Sequence, residues 1–342
     1  MTGAAPVTPA PVWDVINGFA GYWALHAAVE FGVFDRLADG PADSAALAAA
    51  TGVHDPADVT LLAQLLTAQG LLDTDAGRWR LTPTAERFLL SSSPASMVGL
   101  VRHSPGPHAA WPRLAATLRA GAPADATRDA LDTLYPDLVA ATAGTQSAVA
   151  HGVARELGER GLWDGSGTVV DLGCGSGAWL DALLAGGAHG VAVDLPHVLP
   201  GARERLAGRD VEFVGGDYLA VDLPARADVV VLAHVLRAED DDRARALVAR
   251  AFELLPDNGV LLVADYFRPP DDGPADSYAA AIHDLVLALT MRASTRGRGL
   301  TAATLDGWCA EHGARTVAVV EPVPRQRVHL VTRHPQPTGD PR

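Results

Sequence analysis

Ten consecutive residues carry the chain's clearest chemical signal: Val169-Val170-Asp171-Leu172-Gly173-Cys174-Gly175-Ser176-Gly177-Ala178. A β-branched run ends in a carboxylate, then gives way to a glycine-rich turn and a helix start. Gly173 and Gly175 let backbone turn sharply and approach a ligand closely, and the helix that follows offers free amide groups. Such a turn alone serves nicotinamide, flavin and sulfonium cofactors alike. Two later carboxylates narrow the choice. Asp194 closes the next apolar run, where an acidic residue can accept both ribose hydroxyls. Asp217-Tyr218 closes a third, where a carboxylate can accept an adenine amino group and a ring can cover the base. Three acidic strand ends without a phosphate anchor fit an adenosyl sulfonium better than a pyrophosphate. Cys174 contributes its backbone to this expected pocket, and Leu195, Ala233 and His234 stand at neighbouring strand ends.

These residues need a scaffold that delivers several strand ends to one crevice. From Thr168 onward, short apolar runs alternate with helical segments: Thr168 to Leu172, Gly190 to Asp194, Val211 to Asp217, Asp228 to Leu236 and Gly259 to Asp265. Alternation at this spacing predicts a parallel sheet wound with helices, an α/β domain. Thr316 to Glu321 and Val328 to Arg333 lie close enough to predict an antiparallel pair at the end.

The front of the chain differs. Apolar residues recur at helical spacing from Trp13 to Leu37, with a break predicted at Gly32, and so much apolar surface suggests an interface. Asp43-Ser44 caps a short helix stopped at Thr51-Gly52, and Asp55-Pro56 starts a second one running to Gly70. Leu71-Leu72, a turn at Thr74 to Gly77 and Arg78 to Leu81 then read as a two-stranded wing, making residues 40 to 85 a winged helix. Its second helix presents Asp55, Asp58, Thr60 and Gln64 and no arginine, the wrong charge for a DNA-reading element. Packing and dimerisation are the expected role. The predicted organisation is a disordered leader at 1–10, a winged-helix domain at 11–90, a helical linker and acceptor-lining region at 91–160, the α/β domain at 161–335, and a disordered tail at 336–342.

Composition excludes several alternatives. The 342 residues hold 27 basic and 41 acidic side chains, a net charge of −14, and every basic one is arginine. A pyridoxal Schiff base and a phosphate-loop lysine are therefore impossible. No basic tract offers a nucleic-acid groove or a grip on an anionic membrane. Two cysteines, Cys174 and Cys309, are too few for a disulfide framework or thiolate zinc site and suit a reducing cytoplasm. The first ten residues lack a charged-then-apolar leader, and no apolar run reaches about 18 residues, so neither export by that route nor a membrane span is expected.

Taken together, Asp171 to Gly177, Val193 to Leu199, Gly215 to Leu219, His234 to Asp242, Gly259 to Asp265 and the winged-helix front resemble the S-adenosylmethionine-dependent O-methyltransferases of natural-product biosynthesis, of the plant caffeate and bacterial polyketide-tailoring kind. The likeness spans residues 13 to 333. It implies a Rossmann-like class I methyltransferase domain with a seven-stranded sheet, a mostly helical N-terminal winged-helix dimerisation domain forming a homodimer, S-adenosylmethionine as cofactor, and a small aromatic or polyketide-like acceptor bound between domains.

The departures from that family pattern concern the acceptor. Where the family reads Leu-His-Asp-Trp, with the histidine as base, this chain reads Leu236-Arg237-Ala238-Glu239. Where the family carries a glutamate that steers the histidine, the segment is Gly297-Arg298-Gly299-Leu300-Thr301. A third acidic position is kept as Asp265. The candidate catalytic set is thus His234, Arg237, His283 and Asp265: the histidines as substitute bases, or Arg237 as neutraliser of an acceptor anion. His234, His283 and Asp265 could instead form a metal-binding facial set, though no metal is expected. Glu239 to Asp242 reads as a solvated helix cap. Alternatives to O-methylation are N- or C-methylation, a non-methylating reaction on the same cofactor, such as decarboxylation, hydroxylation or a pericyclic step, and a winged-helix transcription regulator.

Overall fold

The computed structural model describes residues 7–104, 108–123, 128–224 and 226–333. Most of the predicted leader and the whole predicted tail lie outside them. The chain divides at residues 105 and 106 into two units, each with its own core.

The first unit is helical with a small wing. Helix α1 (Ala10–Glu30) ends before Gly32, whose φ of 69° suits the glycine and starts α2 (Val33–Leu37). Helix α3 (Ser44–Thr51) is capped by Asp43, which accepts the Ala46 N–H, and stops at Gly52 with φ of 75°. Asp55 caps α4 (Pro56–Ala68) in the same way through Ala57, as the Asp-Pro signal predicts. Strands β1 (Leu72–Asp75) and β2 (Arg78–Leu81) pair antiparallel across the two-residue turn Ala76-Gly77. Both turn residues have positive φ, which matches the twist of the hairpin. Buried Trp79 anchors the wing by donating its indole N–H to Ser44 Oγ of α3 at 3.0 Å. Helices α5 (Pro83–Phe88) and α6 (Val98–His103) complete the unit. Along α1, by contrast, Trp13, Val15, Ile16, Phe19 and Trp23 remain exposed.

The second unit opens with α7 (Leu114–Ala120) and the long α8 (Arg128–Glu159). Its seven-stranded sheet has the order β5-β4-β3-β6-β7-β9-β8. Strands β3 (Thr168–Leu172), β4 (His189–Asp194), β5 (Val211–Gly215), β6 (Val229–Ala233) and β7 (Val260–Asp265) are parallel. Strands β8 (Arg315–Val323) and β9 (Gln326–Thr332) run antiparallel, as the terminal pair predicts. Helices α9 (Ala178–Leu183), α10 (Leu199–Arg205) and α11 (Asp241–Leu254) are the crossovers, followed by α12 (Ala275–Ala280), α13 (Ile282–Ser294) and α14 (Ala302–Ala310). Side chains of β3 alternate between two cores: Val169 packs on the face covered by α8 and α9, and Val170 and Leu172 on the face covered by α11 and α14. Helices on both faces explain why β6, and β7 up to Asp265, are apolar rather than alternating. Strand order reverses between β3 and β6, and the crevice at that point is where open α/β sheets hold ligands. Among the described residues no helix is long and apolar enough to cross a membrane.

Candidate functional site

The glycine turn is built by close approach. Gly173 has φ of 90°, and a Cβ there would lie 2.4 Å from Val235 Cγ1, so only glycine lets the turn pass the end of β6. The Gly173 and Cys174 N–H groups both donate to the Val193 carbonyl, at 2.8 and 3.0 Å. Gly175 donates to Asp194 Oδ2 at 2.8 Å, while Asp194 Oδ1 accepts the Leu195 N–H at 2.7 Å. Asp194 therefore ties the turn to the end of β4. Burial raises its pKa, and those two N–H bonds pull the other way. Cys174 is buried and its thiol is pushed well up, first by burial, then by Asp171 and Asp194. The thiol is inert; its backbone shapes the turn.

Asp171 is the anomaly. It is fully buried, and neither carboxylate oxygen has a hydrogen-bond partner among the described residues. Burial, then the nearby Asp194 charge, holds it well above the usual carboxylate range. Two neighbouring carboxylates beside a glycine turn, one of them unpartnered, suit a ligand bearing a cationic group and hydroxyl donors. S-adenosylmethionine, with its sulfonium, ammonium and ribose hydroxyls, fits that donor set.

A cavity of about 100 Å³ runs from Gly173, Gly175 and Ser176 to Ala233, His234, Arg237 and Tyr266, beneath Val139, Thr142 and Gln146 of α8. Gln146 is fixed by accepting the Trp179 indole N–H at 3.1 Å. At the far end Asp265, 1% exposed, accepts the Tyr266 N–H at 2.9 Å through Oδ1 and the Arg237 N–H at 3.2 Å through Oδ2. His234 takes a φ of 60°, and its N–H donates to the Ala264 carbonyl at 2.7 Å. Its Nδ1 stands 3.8 Å from Asp265 Oδ1, too far for a hydrogen bond, and both ring nitrogens are buried without a partner among the described residues. Burial lowers the imidazole below its ordinary value against the opposite pull of Asp265, which keeps it neutral. Thus His234, Arg237 and Asp265 come together.

His283 does not join them. It lies beyond Tyr266, whose ring is 5.2 Å from the His234 ring and 5.5 Å from the His283 ring. Instead it lines a second cavity of about 60 Å³ with Phe267, Asp284, Arg325 and Arg327. Among the described residues no group of three His, Cys, Asp or Glu side chains converges to hold a metal ion. Tyr266, which the sequence reading missed, is the ring around which the site is arranged. Its signal was its place directly after Asp265 at a strand end.

The end of β5 is also busier than expected. Asp217 Oδ1 and Oδ2 accept Arg243 Nη2 at 3.1 and 3.2 Å, and Arg243 Nε donates to Glu239 Oε2 at 2.8 Å. The Tyr218 hydroxyl donates to Glu239 Oε1, and the guanidinium lies 6.0 Å from the Tyr218 ring centre. Burial alone would lower the Arg243 pKa, but its hydrogen bonds to Glu239 and Asp217 hold it above the ordinary value. Glu239 is therefore no part of a solvated cap, a correction to the sequence reading. Asp240 performs the capping, accepting the Arg243 N–H at 3.0 Å. The physical reason is that Arg243, in the first turn of α11 and four residues after Glu239, draws Glu239 back onto the Asp217-Tyr218 edge.

A glycine-turn crevice in an α/β unit and a separate helical, winged unit together define a class of enzyme, and comparison with known proteins gives the family. The O-methyltransferase domain family matches residues 146–313 and the O-methyltransferase dimerisation domain family matches residues 13–91. The chain is 34% identical over 283 residues to the N,N-dimethyltransferase OxyT of Streptomyces rimosus, covering 79% of this chain and 82% of that one. It is 30% identical over 331 residues to a 3-hydroxy-5-methyl-1-naphthoate 3-O-methyltransferase of Streptomyces sahachiroi, covering 91% of each. The solved structure of CalO1, a methyltransferase in calicheamicin biosynthesis in its SAH-bound form, superposes with a TM-score of 0.77 at 27% identity, over 95% of this chain and 98% of that one. The chain belongs to the S-adenosylmethionine-dependent O-methyltransferases, with the class I methyltransferase fold and the family's dimerisation domain.

Proposed function

We propose that this chain moves a methyl group from S-adenosylmethionine to a hydroxyl oxygen of an aromatic or polyketide-like specialised metabolite. The observation that carries the reading is the single cavity joining the glycine turn to His234, Arg237 and Tyr266. Asp171, Gly173, Cys174, Gly175, Asp194 and Leu195 would hold the cofactor from one side, with Asp217 and Tyr218 at the adenine end and Ala233 and His234 beside the reacting methyl. When bound, the cofactor supplies an electrophilic methyl carbon, so the acceptor needs an aligned lone pair more than a strong base.

The acceptor end supplies alignment. Asp265 is a positioning residue: by accepting the Arg237 and Tyr266 N–H groups it fixes where both side chains start. The Arg237 guanidinium lies 5.0 Å over the Tyr266 ring and turns its donors to the acceptor. His234, held neutral, can accept from the acceptor or its proton. His283 acts at one remove, through the edge of the Tyr266 ring. The two buried, unpaired cysteines suit work in a reducing cytoplasm. The same two-unit chain would act as a homodimer through its dimerisation domain.

The test is to incubate the purified protein with methyl-labelled S-adenosylmethionine and a panel of hydroxylated naphthoates, quinones and aromatic amines. The expected result is S-adenosylhomocysteine together with label on an acceptor oxygen. Acceptor turnover without S-adenosylhomocysteine, or label only on nitrogen or carbon, would contradict the proposal.

A further inference from the structure

Arg237 is a largely buried cation with a hydrogen-bond donor that the described residues leave without an acceptor. Its side chain is only 16% exposed. Nη1 is buried with no hydrogen-bond partner among the described residues. Asp265 is the carboxylate within ion-pair range, but Nε is 3.8 Å from its Oδ1, and both Asp265 oxygens already accept backbone N–H groups. Two glycines pack on the Arg237 backbone. Gly299 has φ of 67°, a conformation a glutamate resists, and its N–H donates to the Arg237 carbonyl at 3.4 Å. A Cβ on Gly297 would fall 2.0 Å from the Arg237 carbonyl oxygen, so no larger residue fits there either.

A buried guanidinium donor without an acceptor is costly, and a fold retains one where a ligand supplies the missing partner. Two further arginines, Arg325 and Arg327, line the second cavity past Tyr266, together with His283, whose imidazole is pushed toward the neutral form by burial. The acidic groups facing that cluster are Asp265, Asp284 and Glu321. Glu321 is engaged, accepting the Arg325 N–H at 2.7 Å and pairing with Arg327 at 3.6 Å. Burial raises the Asp284 carboxyl and weakens its charge.

Resting on the methyltransferase reading above, we infer that Arg237 receives the acceptor as an anion: the oxygen to be methylated is ionised before it binds. The substrate class is then vinylogous acids, meaning enols and phenols conjugated to a carbonyl, such as hydroxyquinones and the enols of 1,3-diketones. The oxygen anion forms its bond to the methyl carbon as the carbon–sulfur bond breaks with its electron pair kept by sulfur. No proton moves in that step, because it was lost to solvent beforehand. Loss of the family's base and gain of a cation at Arg237 are then one change.

Two probes separate this from ordinary base catalysis: a hydroxynaphthoquinone, whose anion absorbs in the visible, and a plain naphthol of the same ring size. Each is titrated into protein saturated with S-adenosylhomocysteine and assayed for methyl transfer with S-adenosylmethionine. The quinone is expected to bind as its anion and to be methylated with kcat/KM about a hundred-fold above the naphthol's. The midpoint of its pH profile should follow the acceptor's own ionisation and shift when the acceptor is changed. Arg237→Gln should weaken quinone binding about a hundred-fold, leave S-adenosylhomocysteine affinity unchanged, and be partly rescued in Arg237→Lys. Equal or better use of the naphthol, failure of the anion to bind, or an Arg237→Gln protein that matches wild type would each overturn the inference. Those results leave the methyltransferase reading standing, which fails only if no hydroxyl acceptor yields S-adenosylhomocysteine.

Discussion

At the scale of single residues, the cofactor end trades stability against readiness. Asp171 is buried beside Asp194 with its carboxylate unpartnered, so its folded pKa is raised. A raised carboxyl contributes fully below its unfolded value, near about 3.9, and that contribution is lost as pH rises through the folded value. Ligand-free protein should therefore lose stability as pH climbs above the ordinary carboxylate range. Asp171→Asn removes the charge at nearly constant shape. It should raise the unfolding temperature of the ligand-free protein at neutral pH, by about 3 °C per kcal/mol relieved, while weakening S-adenosylhomocysteine binding at least about ten-fold. Scanning calorimetry with and without ligand checks both halves; an unchanged or lower unfolding temperature contradicts the first. The sequence made Asp171, Asp194 and Asp217 legible as strand-end carboxylates, because each closes an apolar run. It did not show that Asp171 has no hydrogen-bond partner among the described residues while Asp217 has Arg243, since those partners are decided by packing between distant segments.

At the scale of elements, the site depends on how closely turns pass one another. Gly173→Ala would place a methyl 2.4 Å from Val235 and hold alanine at a φ of 90°. A loss of about 2–4 kcal/mol in unfolding free energy is expected, measurable by urea titration. Gly173→Ala with wild-type stability would show that the turn relaxes freely. Arg243 joins the end of β5 to the start of α11. Arg243→Ala leaves Asp217 and Glu239 facing each other half-buried, so S-adenosylhomocysteine affinity should fall about ten-fold, with Arg243→Lys recovering part. Unchanged affinity in a fluorescence titration would remove Arg243 from the account. Strands β3, β4, β6 and β7 were readable because their apolar runs are continuous, and α3 and α4 because Asp43 and Asp55 are plain caps. Helix α10 begins at Leu199 and carries Pro200 in its first turn, where a proline costs no hydrogen bond. The role of Glu239 was hidden because a run of four acids resembles a cap until the neighbouring arginine is placed.

At the scale of the whole molecule, the exposed apolar face of α1 lies within the matched dimerisation domain. Phe19→Glu with Trp23→Glu sets charge into that face. Sedimentation should then show the 35.5 kDa chain mass, where twice that value is expected for wild type. A double variant that stays dimeric would move the interface elsewhere. The apolar spacing from Trp13 onward made this surface visible in sequence, because a helix with unburied aromatic residues needs a partner. The cavity past Tyr266 was the least legible part: Tyr266, Arg325 and Arg327 acquire meaning only once β7, α13 and the β8–β9 hairpin are folded together. Everything at that end presupposes a cofactor at the glycine turn. Calorimetric titration of the intact wild-type protein with S-adenosylhomocysteine tests this most directly: one molecule bound per chain is the result expected, and no uptake at any concentration would contradict the account.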